Sequence, residues 1–354
     1  MPTHPYDVAV LIGRFQPFHL AHLALLRRAL ETAAQCVVVI GSAHQARTPK
    51  NPFTWAERAE MIRVALPPEQ QQRVRFLPMR DYYDEGRWLQ AVHDGISALT
   101  AAEQGHAPLR ITLVGHHKDA TTGYLRGFPG WALTPLDRVP NAGGTQVRDA
   151  LFAGDPLQPE ATLAALVDQV PASTAAFLRA WLALPFVNEL AAEWHMLREY
   201  QAAWAAAPYP PVFVTVDAVV RCAGRVLLIQ RGQAPGRGLY AVPGGFIEQR
   251  ETVYQSALRE LQEETQLRLL EDTMRHSLRA VAVFDHPDRS LRGRTITHAH
   301  YFDLGLRELP EVQAADDAQT VQWVPIEELA AMEDRFHDDH FHMLDHFLGL
   351  TAHG

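Results

Sequence analysis

The chain has 354 residues, 47% of them hydrophobic and 21% charged, with a net charge of −9 and two cysteines. That length accommodates two ordinary domains, and the acidic balance without a dense Lys/Arg patch argues against a long phosphate-backbone footprint such as duplex DNA requires. Cys36 and Cys222 lie far apart in different apolar runs, which excludes a disulfide framework or a CxxC metal site and suggests buried thiols of a reducing compartment.

The first residues, "MPTHPYDVAVLIGRFQPFH", carry no basic segment followed by a long apolar one. No stretch reaches the roughly 18 uninterrupted apolar residues of a membrane span, so a cytoplasmic chain without a membrane partner is expected. "DVAVLIGRF" is a short apolar run closed by a glycine, and the leucines of "HLAHLALLRRALETA" recur at helical spacing. Strand, glycine loop and helix follow in that order. "CVVVIGSA", "RVRFLPM" and "RITLVGHH" repeat the strand signal, with the helical segments "TWAERAEMIRVAL" and "RWLQAVHDGISAL" between them. Such alternation predicts a doubly wound parallel sheet with ligands at the carboxyl ends of its strands.

From about Pro171 the chain becomes rich in alanine, leucine and tryptophan, and "PYPP" closes that helical stretch. We place a first domain at residues 1–184, a helical linker at 185–209 and a second domain at 210–354. After Pro211 the runs are β-rich, "VFVTVDAVVRCAGRVLLIQR", "LYAVPGG", "RAVAVFDH", "THAHYFDL" and "TVQWVPIEEL", interrupted by one long helix from about Glu251 to Gln266. Many strands and few helices indicate an α+β domain. The tail "DRFHDDHFHMLDHFL" is dense in His and Asp; a metal cluster is one reading, and an amphipathic helix burying Phe336, Phe341, Leu344, Phe347 and Leu348 is the favoured one.

Within "RELQEET", Glu260, Glu263 and Glu264 share one helix face, where like charges repel unless a cation lies between them. Hard carboxylate oxygens select Mg²⁺, with Mn²⁺ as the second choice. Taken alone, a charged run is a solvated face. Its surroundings, "PGGFIEQRETVYQSALRELQEETQL", match eight of the nine defined positions of the Nudix box, all but Gln266. The second domain therefore resembles Nudix hydrolases. That resemblance implies metal ligation by Glu260, Glu263 and Glu264, orientation of a glutamate by Arg259, a loop turn at Gly245, and a box position at Glu251. Gln266 stands where the box has glycine, which implies a different helix exit. "QRGQAPGRGLYAVPGGFIE" and "RTITHAHYFDL" are similar to the branch acting on ADP-ribose, with Arg231 as a phosphate contact.

In "GRFQPFHLAH", His19 and His22 stand one helical turn apart at a helix start, where free N–H groups favour phosphate. The stretch resembles the HxGH signature of nucleotidyltransferases, and "GRFQPFH" with "GSAHQARTPKNPFTWAER" is similar to the NMN adenylyltransferase family. "AGGTQVRDAL" stands for the family's late ISxTxxR-like motif, with Thr145 and Arg148. Ala21 and "GGT" depart from the two motifs; the single methyl at position 21 is tolerable, and His19, His22, Thr145 and Arg148 are all present. The resemblance implies transfer of AMP from ATP to nicotinamide mononucleotide, giving NAD, with Gly13, Arg14, Phe15, Arg47, Lys118, Thr145 and Arg148 about the phosphates. Trp88 is a candidate to stack on the nicotinamide ring, with core packing as its other role.

Together the two resemblances span most of the chain and match the bifunctional NMN adenylyltransferase/Nudix hydrolase family. They imply a Rossmann-like nucleotidyltransferase domain and a Nudix α/β/α sandwich with a mixed sheet, working on ATP, nicotinamide mononucleotide, NAD and ADP-ribose. No nucleic-acid or membrane partner is expected, and a homo-oligomer is compatible with the sequence. One rival is an adenylyltransferase whose Nudix domain only senses a nucleotide. Another is a transcriptional regulator on a Nudix ligand domain, which would need a basic helix-turn-helix that the first domain does not offer.

Overall fold

The computed structural model describes residues 4–101, 108–115, 127–136, 143–154, 158–305 and 307–351. The chain divides into two units, Met1–Ala192 and Glu193–Gly354.

In the first unit β1 (Tyr6–Gly13), α1 (Leu20–Thr32), β2 (Ala33–Ile40), α2 (Trp55–Val64), α3 (Pro68–Gln71), β3 (Val74–Pro78), α4 (Glu85–Leu99), β4 (Ile111–Gly115) and β5 (Ala132–Pro135) follow one another. The five strands form one sheet in the order β3-β2-β1-β4-β5, and every pairing is parallel. Both faces are covered, as a parallel sheet requires: Val8, Val10, Val37, Val39 and Leu113 pack with Val92 and Ile96 of α4, while the alternate residues Ala9, Leu11 and Val38 are equally buried. The expected doubly wound parallel sheet is therefore present. β5 is a four-residue edge strand that hydrophobic periodicity alone did not reveal. Helices α5 (Gly144–Ala153), α6 (Pro159–Ala164), α7 (Ala172–Leu182) and α8 (Phe186–Ala203) follow, and the division between the units falls within α8.

Strand order reverses between β1 and β4, which makes the carboxyl ends of these two strands the topological switch point where ligands bind. The loop after β1 leads from Gly13 straight into α1, whose N-cap is His19. A capping box between Thr54 and Glu57 starts α2.

The second unit comprises β6 (Val212–Cys222), β7 (Arg225–Arg231), β8 (Tyr240–Ala241), β9 (Gly244–Phe246), α9 (Val253–Thr265), α10 (Glu271–Ser277), β10 (Leu278–Phe284), β11 (Arg294–Asp303), β12 (Ala318–Pro325), α11 (Ile326–Leu329), a 3₁₀ turn at Ala330–Arg335 and α12 (His340–Leu348). Its seven-stranded sheet runs β10-β11-β6-β7-β12, with β8 on β7 and β9 on β6. The β6–β11 pair is parallel and the others antiparallel, so the sheet is mixed.

Alternation along the central strands separates two cores. Ala218, Val220, Cys222 and Leu227 meet Leu261 of α9 and Leu267, whereas Val219, Val226 and Leu228 meet Phe341, Met343 and Leu344 of α12. This is the expected α/β/α sandwich. Phe336 joins the second core and Phe347 and Leu348 pack at its margin, so the tail forms an amphipathic helix. Both cysteines are free and buried, and burial pushes the Cys36 thiol up to about 12. No single described helix is long and apolar enough to cross a membrane.

Candidate active sites

At the switch point of the first unit, the His19 and His22 rings stack at 3.6 Å between centroids, 19° from parallel. Phe15 fixes their surroundings: it adopts φ +53°, its ring lies 4.7 Å from that of His22, and a Cβ on Gly13 would come within 3.0 Å of it. Glycine at position 13 is therefore what lets the phenyl ring fold back beneath the strand end. Gln16 anchors the same loop by exchanging two hydrogen bonds with the backbone of Phe53, at 2.8 and 3.0 Å.

Arg148 on α5 donates to the Gln16 carbonyl at 2.6 Å and to the Thr145 hydroxyl at 3.1 Å, which brings the second motif onto the first. A Cβ on Gly144 would sit 2.8 Å from the Gln16 carbonyl oxygen, so "GGT" permits this close approach of α5. Burial, aided by the charge of Arg14, lowers the Arg148 pKa to about 10. It remains a cation at neutral pH, in a place that favours an incoming anion.

Sequence reasoning missed Arg58, which is 1% exposed. It donates to the carbonyls of Arg14 and Gly41, both at 2.7 Å, of Ser42 at 3.0 Å and of Thr54 at 3.2 Å. These bonds tie the loops after β1 and β2 together. Its signal in the sequence was only one of two arginines in the helical segment "TWAERAEMIRVAL".

Arg47 forms a two-pronged pair with Glu57, in the first turn of α2, at 2.7 and 2.9 Å, and lies over the Phe186 ring at 4.5 Å. Trp88 packs partly buried against the core, 6.2 Å from Phe128. Lys118 lies outside the described residues.

In the second unit, β9 crosses over α9 at the box glycines. A Cβ on Gly245 would lie 2.6 Å from the Glu260 carboxyl, and the Gly244 N–H donates to Glu264 at 2.9 Å. Glu264 is 4% exposed, and burial pushes its carboxyl up to about 8. Burial raises Glu260 as well, and the charge of Glu263 adds to the effect. The structure thus brings Glu260 and Glu264 together under a glycine roof, while Glu263 lies nearer the rim.

Arg259 braces the group. It donates to Glu251 at 3.0 Å, to Glu260 and Glu263 at 2.8 Å each, and to the Phe246 carbonyl at 3.1 Å. Burial works against its charge, yet these carboxylate bonds outweigh it and its pKa rises. Hydrogen bonds from Ser256 and Arg259 hold the Glu251 carboxyl below its ordinary range. Among the described residues no three His, Cys, Asp or Glu side chains form a closed metal cage. The donor set suits a hard cation that completes its shell with water and substrate phosphate: two carboxylates on one helix face, Glu264 buried and Glu260 half-buried, with raised pKa values that a cation would reverse.

Arg231, at the end of β7, donates to the Pro235 carbonyl at 2.8 Å, and its charge is felt by Glu264. Arg292, missed in the sequence, lies 5.7 Å over the Phe246 ring and lowers the pKa of Arg231 further, after burial. At the far end of α9, Gln266 adopts φ +52°. The helix exit is thus the left-handed one that a glycine would give, contrary to the expectation from its replacement, and the Gln266 amide caps the carbonyls of Gln262 and Glu263 at 3.3 Å each.

Fold and sites define a nucleotidyltransferase-like unit joined to a Nudix unit. A cytidylyltransferase-like family model matches residues 10–92, and a NUDIX domain model matches residues 211–347. A crystal structure of a bifunctional NMN adenylyltransferase/ADP ribose pyrophosphatase from Francisella tularensis, complexed with AMP and a manganese ion, superposes with a TM-score of 0.87 at 32% identity, covering 97% of this chain and 99% of that one. The nicotinamide/nicotinic acid mononucleotide adenylyltransferase of Acinetobacter baylyi is 33% identical over 45% of this chain and 85% of its own length. An ADP-ribose pyrophosphatase of Methanocaldococcus jannaschii is 34% identical over 33% of this chain and 63% of its own length. The chain belongs to the bifunctional NMN adenylyltransferase/ADP-ribose pyrophosphatase family.

Proposed function

We propose that the chain carries two enzymes: an adenylyltransferase making NAD and pyrophosphate from ATP and nicotinamide mononucleotide, and a hydrolase splitting ADP-ribose into AMP and ribose 5-phosphate. The observation that carries this reading is the presence, in one chain, of the stacked His19–His22 pair after a loop that Arg148 bonds at Gln16, and of the Arg259-braced carboxylates beneath Gly244 and Gly245.

In the first unit the mononucleotide phosphate attacks the α-phosphorus of ATP directly, so no protein nucleophile is required. The residues act by position and charge: His19 and His22 donate to phosphoryl oxygens, and Arg14 and Arg148 neutralise charge as pyrophosphate leaves. Gly13, Phe15 and Thr145 shape the loop and helix end on which these groups stand. Lys118 is assigned to the phosphates and Trp88 to the nicotinamide ring on the resemblance alone; Arg47, paired with Glu57, acts in this reading by holding the loop before α2.

In the second unit Glu260, Glu263 and Glu264 hold Mg²⁺, with Mn²⁺ as a substitute. The cation, when bound, neutralises the diphosphate and eases ionisation of the attacking water. Arg259 and Glu251 keep Glu260 and Glu263 in place, and Arg231 meets the diphosphate. ATP and nicotinamide mononucleotide are thus partners of the first unit and ADP-ribose of the second, at a cytoplasmic location.

Chromatography of the products, with Mg²⁺ and ADP-ribose in one reaction and Mg²⁺, ATP and nicotinamide mononucleotide in another, tests the reading. AMP in the first and NAD in the second are expected. NAD with untouched ADP-ribose would leave the second unit as a nucleotide sensor.

A further inference from the structure

The His- and Asp-rich tail is not absorbed by either reaction, yet its start closes the back of the hydrolase site. His340, 9% exposed, opens α12, and its Nδ1 accepts the Val242 N–H at 3.1 Å. Two residues further on, the Gly244 N–H donates to Glu264 Oε2 at 2.9 Å. Between them the Pro243 carbonyl accepts the Ala218 N–H at 2.8 Å. The turn Val242–Gly244 is therefore held from three sides: by His340 behind, by β6 beside and by the carboxylate in front.

Gly244 leaves no room to shift, since a Cβ there would lie 2.3 Å from the Val216 carbonyl oxygen and 2.6 Å from Asp217 Oδ1. Because Nδ1 accepts a hydrogen bond, the ring is neutral with its proton on Nε2. Burial favours that neutral form by lowering its pKa.

The imidazole is itself held in place. Asp339 forms a buried two-pronged pair with Arg289 at 2.7 and 2.9 Å, which pins the start of α12. Asp217, whose Oδ1 lies 4.0 Å from His340 Nδ1, is fixed in turn by the Thr297 hydroxyl.

We propose that His340 is a positioning residue of the hydrolase: its Nδ1 fixes the Val242–Gly244 backbone and, through the Gly244 N–H, aims Glu264 at the cation. This rests on the reading of Glu264 as a metal ligand. An outer group of this kind commonly changes metal affinity without touching the metal.

The test is equilibrium Mn²⁺ binding to the full chain, read from the free-Mn²⁺ electron paramagnetic resonance signal, for the wild type and for His340→Asn, His340→Gln and His340→Leu. The Asn oxygen can stand where Nδ1 stands, whereas Gln reaches past it and Leu offers no acceptor. His340→Asn should bind within about threefold of wild type, and His340→Gln and His340→Leu about tenfold more weakly or worse. NAD synthesis by the first unit should be unchanged throughout, and the urea transition of the second unit reports that this unit is folded.

Wild-type Mn²⁺ affinity in His340→Gln, or equal losses in the Asn and Gln variants, would overturn the relay; the Asn–Gln comparison decides even if His340→Leu does not fold. Glu264→Gln is titrated in parallel. Unchanged Mn²⁺ binding in that variant would overturn the metal assignment and this proposal with it.

Discussion

Gln266 shows how a single departure from a motif is accommodated. A side chain in the left-handed region costs about 1–2 kcal/mol, and two exposed 3.3 Å hydrogen bonds from one amide recover only part of that. Gln266→Gly should therefore stabilise the second unit by about 0.5 kcal/mol, read as a shift of its urea midpoint with hydrolysis unchanged. Asp338 is a second residue in strain, at φ +42° and raised by burial to about 7. Between its ordinary 3.8 and about 7 the folded state holds a proton that the unfolded chain has released, so stability falls as pH rises through that window and is level above it. Asp338→Asn removes this titration. Thermal melts should show a larger gain over wild type at pH 8 than at pH 4, the pH-independent part reporting the better fit of Asn to a left-handed backbone.

At the scale of elements, the pieces that carry chemistry were legible because their signals are local. A Thr252–Gln255 capping box sets the start of α9 two residues after Glu251. Glu260 and Glu264 follow at a spacing that brings both to one face of that helix. The edge strand β5 was not legible, since four residues ending in proline carry too little pattern to separate from a loop. Neither was the work of Arg58, which joins α2 to two loops by bonds that run up to 44 residues back along the chain. A lysine cannot span the same carbonyls. Arg58→Lys should cost about 2 kcal/mol of stability in the first unit and depress NAD synthesis, while ADP-ribose hydrolysis stays at the wild-type rate.

For the whole molecule, two units with separate cores and separate sites predict separable losses. His22→Ala should reduce NAD synthesis by about 10²–10³-fold with hydrolysis intact, and Glu264→Gln should do the reverse. Product chromatography of both reactions on each variant checks this. A variant that lost both activities while keeping its melting transition would contradict the independence of the sites.

Strand and helix periods and loop glycines, which act over a few residues, made the two-part architecture and the parallel sheet of the first unit legible in the sequence, whereas the mixed sheet and the motif residues of each site came from the resemblance. Only the tertiary structure decided which groups support those motifs. His340 reaches Val242 across 98 positions, Arg289 reaches Asp339 across 50, and Gly144 meets Gln16 from another element. No spacing rule links such residues, since their proximity is set by how helices pack on sheets and by the need to satisfy each buried polar group once water is gone.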